Sequence, residues 1–339
     1  MLAAMLSIVA PAYNEAAVLP AFLARLGTVL EETGEEWEVV VVDDGSHDGT
    51  WAVIDEAARE DPRIRGIRLS RNFGHQLALT AGMTVAAGDP VITLDADLQH
   101  PPEAIPSLLT AAGRGYEVVY AVRSAQDAAG FWKRFTARVF YRVLNRLSSL
   151  ELPEGAADYR LMSRRVVDVI LEMPERHRFL RGLVRWAGYE QSFVEYHRGA
   201  REQGESKYTL RRMLLFAWDA VVSFSSFPLR AASVIGVCVS LLGWVYLVYV
   251  IIVKIFTDRA VQGWTSVTAA VLVLGGAQLV FLGILGQYVG RMYDDVKRRP
   301  LFLIADDTRT AGRLIPTAGP GPAERGLAPE RSGSDPEGV

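Results

Sequence analysis

The chain has 339 residues and a formal net charge of −3, with 22% charged and 50% hydrophobic residues. That length holds one large domain with additions or two ordinary ones, and the slight acidic excess argues against a general nucleic-acid binder. Its one cysteine, Cys238, excludes an internal disulfide and a cysteine-built zinc site; lying in an apolar run, it reads as a packed thiol.

The first residues show no basic start and no cleavage site, so no signal peptide is expected and the soluble part is placed in the cytoplasm. Apolar, β-branched runs then alternate with helical patterns. The strands are expected at 6–10, 37–44, 64–70, 90–97 and 116–122, and the helices at 15–32, 49–60, 74–88 and 102–113. Such alternation predicts an α/β domain with a parallel sheet covered on both faces. Ligands collect at the carboxyl ends of strands in such sheets. The polar residues follow that rule, with Tyr13 to Glu15, Asp43-Asp44, Arg71-Asn72 and Asp95/Asp97 all directly after strands.

In "VVDDGSHDGT" (41–50) the acidic spacing loosely matches a calcium loop, but a strand leads in and Asp55 stands at the twelfth position. The better reading has Asp43 and Asp44 facing a nucleotide and Asp48 capping the next helix, with Thr50 behind it. "VITLDADLQHPPE" (91–103) ends an apolar strand in two carboxylates. Asp95 and Asp97 repel one another unless a cation sits between them. Hard oxygen ligands, with Gln99 beside them, suit Mg²⁺ or Mn²⁺ that shares its shell with substrate phosphates. His100 reads as a loop residue beside that site. No phosphate-binding P-loop or dinucleotide glycine fingerprint follows any strand, which argues against those classes.

Further on, Arg134, Arg138, Arg142 and Arg146 recur every four residues within 131–147, an arginine face expected to lie on anionic headgroups. A second stretch, 207–224, leads towards an uncharged run and is expected at the interface too. Residues 231–253 and 263–290 carry no charge; each is long enough to cross a hydrocarbon core of about 30 Å. Arg230 before the first run, and Arg291 with Lys297 to Arg299 after the second, place both chain ends in the cytoplasm. Gly286 and Gly290 form a small-residue pair that packing within the hairpin or oligomerisation would explain. From about Asp306 the chain reads as a disordered tail.

Taken in order, "PAYNE", "VDDGS", "SRNFGHQLALTAG", "DADLQHPPE", "FYRVLNRLS", "DYRL", "RFLRGLVRWAGY", "REQGESKY", "SFSSFPLR" and "GGAQLVFLGILGQYVGRMYDDVKRRP" resemble the family-2 glycosyltransferases of GT-A fold. The nearest group is the polyprenyl-phosphate glycosyltransferases, including bactoprenol glucosyltransferases and dolichol-phosphate mannose synthases. The resemblance covers about residues 5–305. It implies a Rossmann-like, mostly parallel GT-A sheet over 1–228 with interfacial helices at 131–147 and 207–224. A transmembrane hairpin follows over 229–292, with spans at about 231–253 and 265–288, then a juxtamembrane segment at 293–305 and the tail at 306–339.

The resemblance also implies roles. Pro11, Tyr13, Glu15 and Asp44 would hold the nucleotide's base and ribose. Asp95, Asp97 and Gln99 would hold the metal and diphosphate, and Asp158 of "DYRL" would lie near the reacting centre as a base or as a positioning group. Arg123, Arg201, Ser206 and Lys207, joined by Arg134 of the arginine face, would meet donor or acceptor phosphate. Gly182 stands where processive synthases carry Gln, which argues against a polymerising enzyme. The expected reaction is inverting transfer of a hexose, glucose from UDP-glucose first, to a polyprenyl (undecaprenyl) phosphate at the cytoplasmic face of a membrane. GDP-mannose or another UDP-sugar is the alternative donor, and a silent nucleotide-sugar-binding scaffold the alternative outside enzymes. The expected partners are the nucleotide sugar, polyprenyl phosphate, the bilayer and further copies of the chain, without nucleic acid.

Overall fold

The computed structural model describes residues 5–123, 156–176, 178–196, 227–256 and 264–309. Its centre is β1 (Leu6–Ala12) and β2 (Trp37–Asp43), both buried along their whole length. Continuous apolar strands of this kind need cover on both faces. Alternation supplies it: Ile8, Ala10, Val39 and Val41 face one layer, and Val9, Val40 and Val42 the other.

The first layer holds α1 (Leu19–Thr33), α2 (Thr50–Glu60) and α4 (Ile105–Ala112), through Phe22, Leu26, Ile54 and Leu108. The second holds α3 (His75–Val85), α5 (Arg164–Glu172) and α6 (Leu180–Trp186), through Leu79, Met83, Val166, Ile170 and Leu183. The remaining strands are β3 (Ile64–Leu69), β4 (Val91–Thr93), β5 (Val118–Arg123), β6 (Ala156–Met162), β7 (Gln191–Tyr196) and β8 (Ile304–Asp307). They complete an eight-stranded sheet of order β7-β5-β6-β4-β1-β2-β3-β8.

The sheet is mixed rather than wholly parallel. β6 runs antiparallel to β4 and to β5, and β8 antiparallel to β3. The 90–97 strand stops at Thr93, because two acidic side chains and a left-handed Leu98 (φ 57°) cannot continue a buried ladder. The first helix starts at Leu19 rather than residue 15. Residues before it form a turn in which Asn14 (φ 56°) and Glu15 donate their N–H groups to Ser46 Oγ and Thr50 Oγ1, both at 2.9 Å.

The expected tail and juxtamembrane boundaries move. Ile304–Asp307 is a strand of the sheet, with Phe302 and Ile304 buried. Asp307 belongs there because Arg65, on the adjacent strand, lies 2.7 Å from it; that pairing joins residues far apart in sequence. Tail residues 310–339 lie outside the described residues.

Two long helices precede β8, α7 (Phe227–Phe256) and α8 (Trp264–Val296). By length and composition Val273–Val296 is able to cross a membrane, and Ala231–Tyr246 is a shorter apolar stretch. Their large apolar side chains, such as Leu242, Trp244 and Leu279, are exposed. Cys238 is exposed on the same surface, not packed as expected, because no protein layer covers that helix face among the described residues. Gly286 and Gly290 have open space where a Cβ would stand, among the described residues.

Candidate active site

The carboxyl ends of β1, β2 and β4 lie side by side, since β1 pairs in parallel with both neighbours. The segments leaving them enclose a cleft of about 330 Å³ lined by Pro11, Tyr13, Glu15, Asp44, Asp95 and Asp97 among others. Six residues singled out in the sequence are thereby brought together. Gln99 and Asp158 do not line it. Gln99 closes the turn after β4 by donating its N–H to Asp97 Oδ1 at 2.9 Å. Arg123 ends β5. Arg134, Arg201, Ser206, Lys207 and the stretches 131–147 and 207–224 lie outside the described residues.

Asp44 is buried, and its two oxygens accept from the N–H groups of Phe73 and Gly74 at 2.7 and 2.9 Å. It shapes the cleft by anchoring the 71–74 loop. Burial works to raise its pKa above the usual carboxylate value and outweighs those hydrogen bonds. Gly45 makes the anchoring possible. Its φ is +67°, and a Cβ there would stand 2.4 Å from the backbone of Arg71. Gly45→Ala is therefore expected to cost about 1–3 kcal/mol of stability through strain and displaced backbone, read as a lower midpoint in chemical denaturation. Asp48 accepts from the Thr50 N–H at 2.9 Å and from the Ala16 N–H at 3.2 Å, just before the N-cap Gly49 of α2. It ties the β1 turn to that helix.

Glu15 carries the mark of crowded negative charge. Burial raises its pKa, and the charges of Asp97 and Asp48 raise it further. Among the described residues, no group of three or more His, Cys, Asp and Glu side chains forms a ready metal cage. Mg²⁺ characteristically takes one or two protein carboxylates and completes its shell with water and substrate phosphates, so Asp95 and Asp97 beside Glu15 fit such an ion.

From the cleft wall a network runs inward, and its contacts were not foreseen from the sequence. His75, the first residue of α3, places Nε2 2.6 Å from Asp95 Oδ1. His100 Nε2 is 3.4 Å from Asp95 Oδ2, with its Nδ1 2.9 Å from Tyr196 Oη. Burial alone would raise the pKa of Asp95, but the hydrogen bonds and charges of His100 and His75 hold it well below the usual range. Burial likewise opposes a charged His75, and the Asp95 hydrogen bond, with the charges of Asp95 and Asp158, overrides it and raises the pKa.

Asp158 enters from β6. The antiparallel register pairs Thr93 with Arg160, which brings Asp158 level with Asp95 two residues further along. His75 Nδ1 lies 3.8 Å from Asp158 Oδ2. Arg160 is 1% exposed and donates through Nη2 to Asp158; Arg181 of α6 and Gln76 of α3 donate as well. The one available signal was the "DYR" spacing, which sets Asp158 and Arg160 on one face of a strand.

Residues 7–171 match Glycosyl transferase family 2. The chain is 43% identical over 298 residues to an uncharacterized glycosyltransferase of Bacillus subtilis (strain 168), covering 88% of this chain and 92% of that one. It is 38% identical over 304 residues to the SfII prophage-derived bactoprenol glucosyl transferase of Shigella flexneri, covering 90% and 98%. To the undecaprenyl-phosphate 4-deoxy-4-formamido-L-arabinose transferase of Aeromonas hydrophila it is 36% identical over 312 residues, covering 91% and 95%.

Proposed function

We propose that this chain, which belongs to glycosyl transferase family 2, transfers a hexose from a nucleotide diphosphate to a polyprenyl phosphate at a membrane surface. Glucose from UDP-glucose and undecaprenyl phosphate form the leading donor and acceptor pair; GDP-mannose or another UDP-sugar is the alternative donor. The observation that carries the reading is the acidic cleft at the carboxyl ends of β1, β2 and β4, where Glu15, Asp95 and Asp97 converge. The lipid acceptor is supported by relatives named for bactoprenol and undecaprenyl phosphate, at 38% and 36% identity over nearly their full length.

The chain's own residues divide the work. Tyr13, 41% exposed at the cleft, offers a ring face to the base, with Pro11, Glu15 and the Asp44-anchored loop around the ribose. Asp95 and Asp97, with Gln99 at their turn, would hold Mg²⁺ or Mn²⁺, which when bound supplies positive charge to the diphosphate leaving group. His75 and His100 fix the Asp95 carboxylate by gripping its two oxygens. An oxygen of the acceptor phosphate forms the bond to the anomeric carbon as the bond to the diphosphate breaks, and the nucleoside diphosphate departs with the electron pair. The acceptor is mostly dianionic at neutral pH, since a phosphate monoester has its second pKa near 6; no proton has to move. Attack opposite the leaving group inverts the anomeric centre.

In this reading α7 and α8 cross the bilayer as a hairpin with the sheet domain and both ends on the cytoplasmic side. Arg123, Arg134, Arg201, Ser206 and Lys207 serve donor or acceptor phosphate, and the chain works as an oligomer. The test is a panel assay of purified protein in detergent. It offers UDP-glucose, UDP-galactose, UDP-GlcNAc and GDP-mannose singly, with polyprenyl phosphate and Mg²⁺ or Mn²⁺, and scores labelled lipid. Labelling from one donor, lost with chelator and restored by the metal, is the expected outcome. Nucleotide binding without transfer from any donor would favour a rarer donor sugar first and a silent binding protein second.

A further inference from the structure

Asp158 is placed as no proton acceptor should be. Oδ1 accepts from Arg160 Nη2 and from Arg181 Nε at 3.2 Å; Oδ2 accepts from Arg181 Nη2 and from Gln76 Nε2, both at 3.0 Å. A carboxylate offers about four lone-pair sites, and these four donors occupy them. The side chain is 5% exposed. Burial pushes its pKa up, but Arg160 and Arg181 outweigh burial and hold it below the usual value. A general base needs an accessible lone pair and a pKa near the working pH. The transfer derived above needs no base.

The two guanidinium groups differ in what they do. Arg160 is shut in the sheet at 1% exposure, near the Tyr120 ring at 5.8 Å, and among the described residues its Nε and Nη1 make no hydrogen bond. Its charge is spent on Asp158. Arg181 stands in the first turn of α6 and keeps 30% of its side-chain surface exposed. Asp158 grips it side-on through two nitrogens, which fixes the plane of the guanidinium. Gln76 steadies the pair, since its Oε1 accepts from the Leu180 N–H at 3.0 Å while its Nε2 donates to Asp158. The position is adjacent to the diphosphate end of the cleft: Asp158 lies 3.8 Å from His75, which in turn lies 2.6 Å from Asp95.

We propose that Arg181 receives the phosphate of the acceptor and that Asp158 is the positioning residue that aims it, an assignment that rests on the acceptor being a polyprenyl phosphate. A planar fork held rigid before binding suits a phosphate dianion and loses little entropy on binding it. Its positive charge also offsets the repulsion between that dianion and the donor's diphosphate.

The experiment uses the full chain in detergent, with undecaprenyl phosphate varied at saturating donor. Arg181→Met is expected to raise the acceptor KM about tenfold or more, the scale of a lost charge-assisted fork, with donor KM within about twofold. It should also melt lower, because buried Asp158 loses one of its two cations, so the assay is run well below its melting temperature. Arg181→Lys restores charge without the fork and should fall between. Asp158→Asn should shift the acceptor KM in the same direction and keep the wild-type pH profile of kcat. Combined with Arg181→Met it should be no worse than the poorer single variant, as for groups acting as one unit. An Arg181→Met variant with wild-type acceptor KM overturns the assignment. So does an Asp158→Asn variant that loses kcat at unchanged acceptor KM together with the acid limb of its pH profile. Wild-type protein that ignores polyprenyl phosphate overturns the function itself, and with it this role for Arg181; that outcome is read before any variant is made.

Discussion

Asp97→Asn is expected to lower sugar transfer by at least about 10²-fold, the scale of removing one electrostatic group from a reacting centre, while leaving the protein no less stable. The two halves of this result share one cause. Asp97 stands in the cleft with Glu15, and its charge is one of those that raise the Glu15 pKa. An acid whose folded pKa is raised loses stability as pH climbs from the unfolded pKa through the folded one. Removing Asp97's charge relieves part of that loss, so the melting temperature at neutral pH should stay level or rise. Carboxylates crowded at a cost in stability are the mark of a site kept for its chemistry. Paired measurements of labelled lipid and of thermal melting check it. Wild-type turnover in the variant would refute the metal assignment to Asp95 and Asp97.

Asp158→Ala is expected to act on the fold, lowering stability by about 3–5 kcal/mol, as when one partner of a buried ion pair is removed. Arg160 would then sit at 1% exposure with its Nη2 partner gone, adding to the two nitrogens already without one among the described residues. Arg181 and Gln76 would lose their shared acceptor at the same time. For a domain of this size the loss is on the order of 10 °C in melting temperature. Asp158→Ala combined with Arg160→Met should recover part of it, because replacing both charges removes the stranded one. Denaturant unfolding of the wild type and both variants is the check. A single variant that melts with the wild type would show that Asp158 carries little of the packing.

Much of the frame was legible along the chain because it depends on local periodicity. The strands expected at 6–10, 37–44, 64–70 and 116–122 overlap β1, β2, β3 and β5 to within two residues at each end, and alternate residues there feed two helical layers. The rule that ligands gather at strand ends selected Pro11, Tyr13, Glu15, Asp44, Asp95 and Asp97, and all six line one cleft. β6, β7 and β8 were missed. β6 joins the sheet only by pairing with strands some 40 to 70 residues earlier. β8 does so with a strand more than 230 residues earlier, and its acidic residues read as a tail until Arg65 is seen beside Asp307.

By itself the sequence determined the alternating frame, the strand-end carboxylates and the long apolar segments, because hydrophobic period and strand-end placement are properties of neighbours in the chain. Tertiary structure alone decided that the sheet is mixed and that His75 holds Asp95. It also decided that Asp158 is saturated by Arg160, Arg181 and Gln76. Gln76 and Arg181 come from α3 and α6, about 100 residues apart, and meet at Asp158 on β6 because that strand runs antiparallel to β4. No local pattern encodes such a meeting, and the burial that makes a lone carboxylate able to organise two guanidinium groups exists only once the layers have closed.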